Sequence, residues 1–285
     1  MQMPIESINL QMLNVGYAQH NADWNWQNVS SPFTRIFYVS EGEARLHLPD
    51  RVVELRVGHL YIIPPHTLHS YECHGPFRHY YIHLYEGFKQ ETDVFDFFDF
   101  PVEVDADSVD AQIFAAICRL HPDAKLPTAD PSGYDNHATV IATIRRYNAL
   151  PLCEKMQLRG FILVLFSRFV KFATPRVATQ EPRLAAVLEY IHSNIYSDIS
   201  VDRLASIACI TKPYLIRLFT RDVGVSPLQY INRKKIERAQ LLLLTDDMPV
   251  KDIASQLGFL DYSYFIRLFR KLVGSTPMTY RATMR

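Results

Sequence analysis

Cysteine is scarce and scattered. Cys73, Cys118, Cys153 and Cys209 are the chain's four, and none forms a CxxC pair. That excludes a zinc knuckle or a dithiol redox motif, and the thiols are expected to be ordinary buried residues in a reducing compartment. Long apolar runs are missing as well. None exceeds the length of residues 161–166, far short of the roughly 20 residues a membrane helix needs. The opening Met1-Gln2-Met3-Pro4-Ile5-Glu6 lacks the basic and apolar stretches of a signal peptide. No membrane partner is expected, and the cytoplasm is the expected location. Net charge is also absent: 30 Lys and Arg balance 30 Asp and Glu, which over the whole chain argues against a polyanionic partner.

Apolar substance is plentiful. Hydrophobic residues make up 48% and charged residues 21%, which excludes a disordered or fibrous chain. At 285 residues the chain exceeds the roughly 100–200 of a single domain, so two domains are expected. The balanced charge conceals a split between them. Residues 182–285 hold 15 Lys and Arg against 9 Asp and Glu, and residues 1–181 hold 15 against 21. Affinity for a polyanion is therefore expected of the C-terminal part.

That part contains an internal repeat, the signal to be read before any other. Leu204-Ala205-Ser206 returns 49 residues later as Ile253-Ala254-Ser255. After a one-residue insertion, Arg217-Leu218-Phe219 returns at an offset of 50 as Arg267-Leu268-Phe269, and Val223-Gly224, Pro227 and Tyr230 are answered by Val273-Gly274, Pro277 and Tyr280. Each copy reads as a helix-turn-helix. Residues 201–208 form the first short helix, the chain turns at Cys209-Ile210, and Thr211 caps a second helix with Pro213 in its first turn. Leu215, Leu218 and Phe219 are its buried stripe. In the second copy Gly258 ends the first helix, Asp261 caps the next, and Phe265, Leu268 and Phe269 are buried. Between the copies Ser226-Pro227 opens a linking helix with Leu228, Ile231, Ala239 and Leu242 on its apolar side and Arg233, Lys234, Lys235 and Arg238 opposite.

Arg217 and Arg267 occupy the same outward place in both copies, and arginine donates bidentately to guanine. Lys212, Arg221, Arg270 and Lys271 suit phosphate contact. Any one of these alone fits a solvated helix face equally well, and Tyr264 fits a core. Two recognition helices entering one side of double-stranded DNA must sit about 34 Å apart.

The stretch from Gly258-Phe259-Leu260-Asp261-Tyr262-Ser263-Tyr264-Phe265 through Arg267-Leu268-Phe269-Arg270-Lys271, ending in Gly274-Ser275-Thr276-Pro277 and Tyr280-Arg281, closely resembles the signature of AraC/XylS-type bacterial transcription regulators. The resemblance implies that Pro213, Ile216 and Arg217, and Tyr262, Ser263, Tyr264 and Arg267, face bases, with the caps Thr211 and Asp261 beside the DNA. Pro213 and Ile216 cannot donate side-chain hydrogen bonds, so the first helix is expected to read fewer bases and to lean on DNA shape.

Between residues 35 and 84 the pattern changes to short alternating runs at 35–39, 44–48, 52–57, 60–63 and 80–84, broken by Gly42, Pro49-Asp50, Gly58, Pro64-Pro65 and Gly75-Pro76. These predict a β-barrel or jelly roll. Gly58, Pro64 and His69 stand in a G-x5-P-x4-H spacing that resembles the second motif of cupin barrels, which usually show Gly where His66 stands. Six histidines lie from His59 to His83, and imidazole is a common metal ligand. The HxH pair of metal-binding cupins is missing from Glu41-Gly42-Glu43-Ala44-Arg45-Leu46-His47, so no metal, no cofactor and no catalytic turnover are expected. A binding pocket fits better. Alternation puts His69 with Tyr71, and His79 with Tyr81 and His83, on shared strand faces. One of Arg35 and Ile36 points inward, and Trp24 and Trp26 could close over the pocket. Each of these fits an outward or satisfied core position as well.

Residues 140–148 and 156–172 read as helices. The second carries Phe161, Leu165, Phe169 and Phe172 on one stripe, with Ile162 and Phe166 beside it, more apolar than one covered side requires. A homodimer is expected, which the family resemblance also implies; packing on its own barrel alone is the alternative. The expected layout is an effector-binding and dimerisation domain over residues 1–174 (barrel about 15–100, helices about 108–173), a linker over 175–182, and a DNA-binding domain over 183–285 with helix-turn-helix units at about 200–221 and 249–271. The resemblance covers nearly the whole chain and implies an effector, often a sugar, in the barrel; RNA polymerase is a candidate partner. The expected function is a ligand-responsive, sequence-specific transcription regulator. A cupin enzyme fused to a DNA-binding module and a constitutive DNA binder are the alternatives.

Overall fold

The computed structural model describes residues 5–86, 94–176 and 181–283. Two compact units divide the chain, one built from residues 8–88 and 99–174, the other from residues 1–7, 89–98 and 175–285.

The first unit is a sandwich of antiparallel sheets. Its strands are β1 (Leu10–Asn21), β2 (Thr34–Gly42), β3 (Ala44–His47), β4 (Val52–Leu55), β5 (His59–Ile63), β6 (Ser70–Glu72) and β7 (Pro76–Glu86), followed by β8 (Phe98–Asp99), β9 (Glu103–Asp105) and β10 (Thr174–Pro175), of which β8 and β10 each have one residue on either side of the unit boundary. Five of them form a sheet in the order β1-β7-β2-β5-β9, three form a second in the order β4-β3-β6, and β8 pairs with β10. Among the described residues no ladder joins the two larger sheets, so the expected barrel is an open, cupin-like sandwich. Its core lies between the sheets. Phe37, Tyr61, Phe77 and Tyr81 of one pack with Leu46, Leu55 and Tyr71 of the other.

Pro49-Asp50 makes the expected tight turn, with the Leu48 N–H donating to Arg51 O at 2.8 Å. β1 shows no clean alternation because it is covered on both faces. Met12 to Gly16 are all buried, and helices α2 (Asp110–Leu120), α4 (His137–Ala149) and α5 (Leu152–Val170) pack on the strand. A short α3 (Pro131–Tyr134) precedes α4, whose cap Asn136 accepts from the Thr139 N–H at 3.0 Å. The buried stripe of α5 is Leu158, Ile162, Leu165, Phe166 and Phe169. Phe161 is half-buried. Phe172 lies past the helix end and is 55% exposed, which moves the expected stripe round by part of a turn.

The second unit is all-helical and includes α1 (Val94–Phe97). The others are α6 (Pro182–Ser193), α7 (Val201–Ile207), α8 (Lys212–Val223), α9 (Pro227–Thr245), α10 (Val250–Gln256), α11 (Tyr262–Val273) and α12 (Pro277–Thr283). The repeat is structural. α8 and α11 both end on left-handed glycines, Gly224 at φ +84 and Gly274 at φ +89. Ser226 and Gln229 form a capping box at the start of the linking helix α9. α9 is wrapped on most of its sides, with Tyr230, Ile231, Ile236, Ala239 and Leu241 to Leu244 buried. Two expectations fail there: Leu228 is 51% exposed and Lys235 only 3% exposed. Nor are the cysteines uniformly buried. Cys73 is, Cys118 is intermediate, and Cys153 and Cys209 are exposed.

Candidate DNA interface and effector cavity

In the helical unit, α8 and α11 each turn one apolar face inward, through Leu215, Leu218 and Phe219 on α8 and through Phe265 and Phe269 on α11. Leu268 is half-buried. What is left outside is the face that can meet a groove. On α11, Ser263, Tyr264, Arg267, Arg270 and Lys271 are exposed and Tyr262 is half-buried, its ring stacked 6.5 Å from that of Phe265. The Asp261 carboxylate caps the helix, accepting from the Ser263 N–H at 2.8 Å and the Tyr264 N–H at 3.1 Å. Arg267 Nη2 stands 4.0 Å from the same carboxylate, within reach of it and still 69% exposed. Tyr264 is held from behind, its hydroxyl accepting from Asn232 Nδ2 of α9 at 2.9 Å.

α8 is poorer in free donors. Thr211 stands at the cap position without a side-chain cap bond. Pro213, Ile216 and Arg217 are exposed. Lys212 Nζ pairs with Asp202 at 2.9 Å, and the Arg221 fork is held by its neighbour Asp222 at 2.5 and 3.1 Å. Arg217 lies 5.9 Å over the ring of Tyr214, an exposed aromatic that sequence reasoning did not single out. The basic face expected on α9 is largely used up. Lys235 Nζ donates to Ser197 O at 2.7 Å, Lys234 and Arg238 are drawn to Asp96, and Arg233 remains exposed.

In the sandwich unit a cavity of about 260 Å³ is lined by Trp24, Phe37, Tyr71, His79, Tyr81, His83 and Tyr134, with Lys125, Leu126, Thr128 and Ala129 also contributing. Alternation on β7 brings His79, Tyr81 and His83 to it as expected of one strand face. Trp24 forms a floor, its ring stacked 4.0 Å from that of Tyr71 at 19°. Burial pushes the imidazoles of His79 and His83 well below their usual range, so both are neutral. Their Nδ1 atoms are buried without a hydrogen-bond partner among the described residues. Tyr81 accepts from the Leu126 N–H at 2.8 Å, and its own hydroxyl is pushed up to about 12 by burial.

Arg35 and His69 are not among the lining residues; they brace the wall. His69 donates through Nδ1 to Thr67 O at 2.8 Å and accepts the Tyr71 hydroxyl at Nε2 at 2.9 Å. That pattern needs the neutral ring, and burial lowers it to about 4. Arg35 pairs with Asp135 at 2.8 Å, and Ile36, the alternative inward residue, is buried too. His66 has φ +59, the left-handed conformation that explains glycine at this place in cupins. Among the described residues no group of three or more His, Cys, Asp or Glu is arranged to hold a metal, and no helix is long and apolar enough to cross a membrane.

A family described as a helix-turn-helix domain matches residues 204–283, and one described as an AraC-like ligand binding domain matches residues 14–125. This chain is an AraC-family regulator. The arabinose operon regulatory protein of Escherichia coli (strain K12) is 26% identical over 234 residues, 80% of this chain and 73% of that protein. YfiF of Bacillus subtilis (strain 168), an uncharacterized HTH-type transcriptional regulator, is 25% identical over 260 residues, 88% of this chain and 77% of that protein. A crystal structure of ToxT from Vibrio cholerae strain SCE256 with bound unsaturated fatty acid covers 96% of this chain and 95% of its own, at 15% identity and a TM-score of 0.47.

In this AraC-family regulator the ligand-binding match takes in most of the cavity wall and stops at Lys125, short of Leu126, Thr128, Ala129 and Tyr134. Those residues, and Asp135 beside them, were missed by sequence reasoning. They fall outside the alternating strands, and the only signal was the aromatic next to an acid in Tyr134-Asp135.

Proposed function

We propose that this regulator binds an uncharged polyhydroxylated molecule, a carbohydrate of monosaccharide size, in its N-terminal unit, and that occupancy changes how its two recognition helices are presented to double-stranded DNA. The cavity wall carries this reading: it is lined by neutral His79 and His83, whose buried Nδ1 atoms have no hydrogen-bond partner among the described residues, and by the aromatic residues Trp24, Tyr71, Tyr81 and Tyr134. Such a wall hydrogen-bonds hydroxyls and covers C–H surface. Arg35, the buried cation nearby, is already neutralised by Asp135, which leaves Lys125 for an anionic ligand. A volume of about 260 Å³ sits just under the roughly 300–1,000 Å³ usual for small-molecule sites, which suits a ligand of single-ring size.

Arg217 and Arg267 read bases. Pro213, Ile216, Tyr262, Ser263 and Tyr264 lie against them, and Lys212, Arg221, Arg270 and Lys271 hold phosphates, with Thr211 and Asp261 framing the two helices. The sensing domain runs over residues 1–174 and the DNA-binding domain over 183–285, joined at 175–182. The protein binds its ligand without turning it over, and it works in the cytoplasm. It acts as a homodimer through the outer face of α5, where Leu152 is 74% and Met156 66% exposed, and RNA polymerase is its second macromolecular partner. Thermal shift of the full chain against neutral monosaccharides, their uronic acids and fatty acids tests the effector reading. Stabilisation by a neutral sugar, lost in Trp24→Ala, is expected; stabilisation by the acids alone overturns it. A monomer at micromolar concentration by sedimentation, with and without DNA, overturns the dimer.

A further inference from the structure

The linking helix of the DNA-binding unit is held by a residue from far up the chain. Asp96 Oδ1 lies 2.6 Å from Lys234 Nζ, and its Oδ2 lies 3.2 Å from His192 Nδ1 and 3.7 Å from Arg238 Nη2. Val94 and Phe95 beside it are buried, and Phe97 packs its ring 4.8 Å from that of His192. Burial alone would push the Asp96 carboxyl up, but Lys234, His192 and Arg238 together hold it well below the usual carboxylate range. A buried carboxylate among three basic groups is a costly arrangement unless every partner stays in place.

The contacts run on from Asp96 to a recognition helix. His192 Nε2 accepts the Tyr230 hydroxyl at 3.0 Å, and Tyr230 sets its ring edge-on at 5.6 Å to Phe219, buried in α8 two residues after Arg217. The same segment is rooted at its other end in the sandwich. Val102, five residues after Phe97, accepts the Ile62 N–H at 2.9 Å and packs on the core that contains Trp24, Tyr71 and Tyr81, three residues of the cavity wall.

We propose that Asp96 is a positioning residue for DNA binding: it anchors on α6 and α9 a segment rooted in the sandwich core that backs the cavity, so that the state of the cavity reaches α8 through Asp96, His192 and Tyr230. The proposal rests on the cavity being the effector site and adds the route by which it acts. It requires a two-state element that both sites bias, a role the proposal assigns to the anchored segment.

A double-mutant cycle on the full chain tests it without any ligand. Gly16→Ala disturbs the cavity wall, because its added Cβ meets the Tyr81 hydroxyl; Tyr81→Phe is the milder alternative. Affinity is read by fluorescence anisotropy on an operator selected from a random DNA pool. The cavity variants are expected to change the Kd by about fivefold or more in the natural chain and in Asp96→Glu, which keeps the carboxylate. In Asp96→Asn they are expected to change it hardly at all. If Asp96→Asn fails to fold, Asp96→Asn with Lys234→Gln removes both charges and serves in its place. The same factor in every background, or no change in any, overturns the proposal. Failure of the sugar reading would show separately, as absent thermal shifts with this cycle intact.

Discussion

Arg35 Nη2 donates to Asp135 Oδ2 at 2.8 Å across 100 residues of chain, and the Ser31 hydroxyl donates to the same oxygen. The pair is shut away from solvent, with Arg35 1% exposed, and burial is the largest influence on both groups, opposed in each by the other's charge. Asp135→Ala therefore leaves a buried, uncompensated guanidinium. A loss of about 3–5 kcal/mol is expected. Urea unfolding followed by tryptophan fluorescence reads this unit selectively, because both tryptophans, Trp24 and Trp26, belong to it. A midpoint within error of the natural chain would count against the pair's structural role.

Acid should weaken the same unit before its carboxylates titrate. His69 is lowered to about 4, and His79 and His83 are held well below the ordinary 6.5. Between those values the unfolded chain binds more protons than the folded one, so stability rises with pH. It should be fully present above about pH 6.5 and lost progressively toward pH 4. His69→Gln should flatten that slope in tryptophan-detected melts; a slope unchanged by the substitution would remove His69 from the cause.

The two recognition helices should answer differently to substitution. Arg267→Ala should cost on the order of 1–3 kcal/mol on cognate DNA and little on scrambled DNA. Lys212→Ala should weaken both alike and flatten the salt dependence. Competition titrations at two salt concentrations distinguish them, and equal losses on both DNAs for Arg267→Ala would contradict its assignment to a base.

Equivalent turn positions in the repeat carry different residues. Gly258 has φ +70 and Cys209 φ +53. A Cβ on Gly258 would collide with the Ser197 backbone, a contact no rotamer change relieves. Gly258→Ala should destabilise the helical unit by about 2–4 kcal/mol, combining left-handed strain with overpacking. Cys209→Gly should change stability by less than about 1 kcal/mol. Helical circular dichroism during thermal unfolding checks both.

The helix-turn-helix pair was legible because its spacing repeats, and repetition survives in a sequence without any contact being known. Strands β2 to β5 and β7 were legible from alternation and turn residues. β1 was not, because helices cover its second face and erase the period. The walls of the cavity were half readable. His79, Tyr81 and His83 follow from one strand's geometry, but Tyr134 and Asp135 enter from a loop and a short helix that no local pattern ties to Arg35. Lys234, Lys235 and Arg238 looked like a solvated face because their acceptors, Asp96 and Ser197 O, are distant in sequence. Likewise Asn232, which steadies Tyr264, gives no local sign of doing so.

The buried place of Asp96 bears on how such proteins can be recombined. A chimaera that joins a foreign sensor to this DNA-binding half at residue 181 would take Asp96 away from Lys234, His192 and Arg238. It would also leave the Asp96 of the displaced sensor behind. Exchange of sensors between regulators of this kind would then be viable only when residues 94–97 travel with the helices they complete, so inheritance of the two halves as separable modules ends at that short stretch.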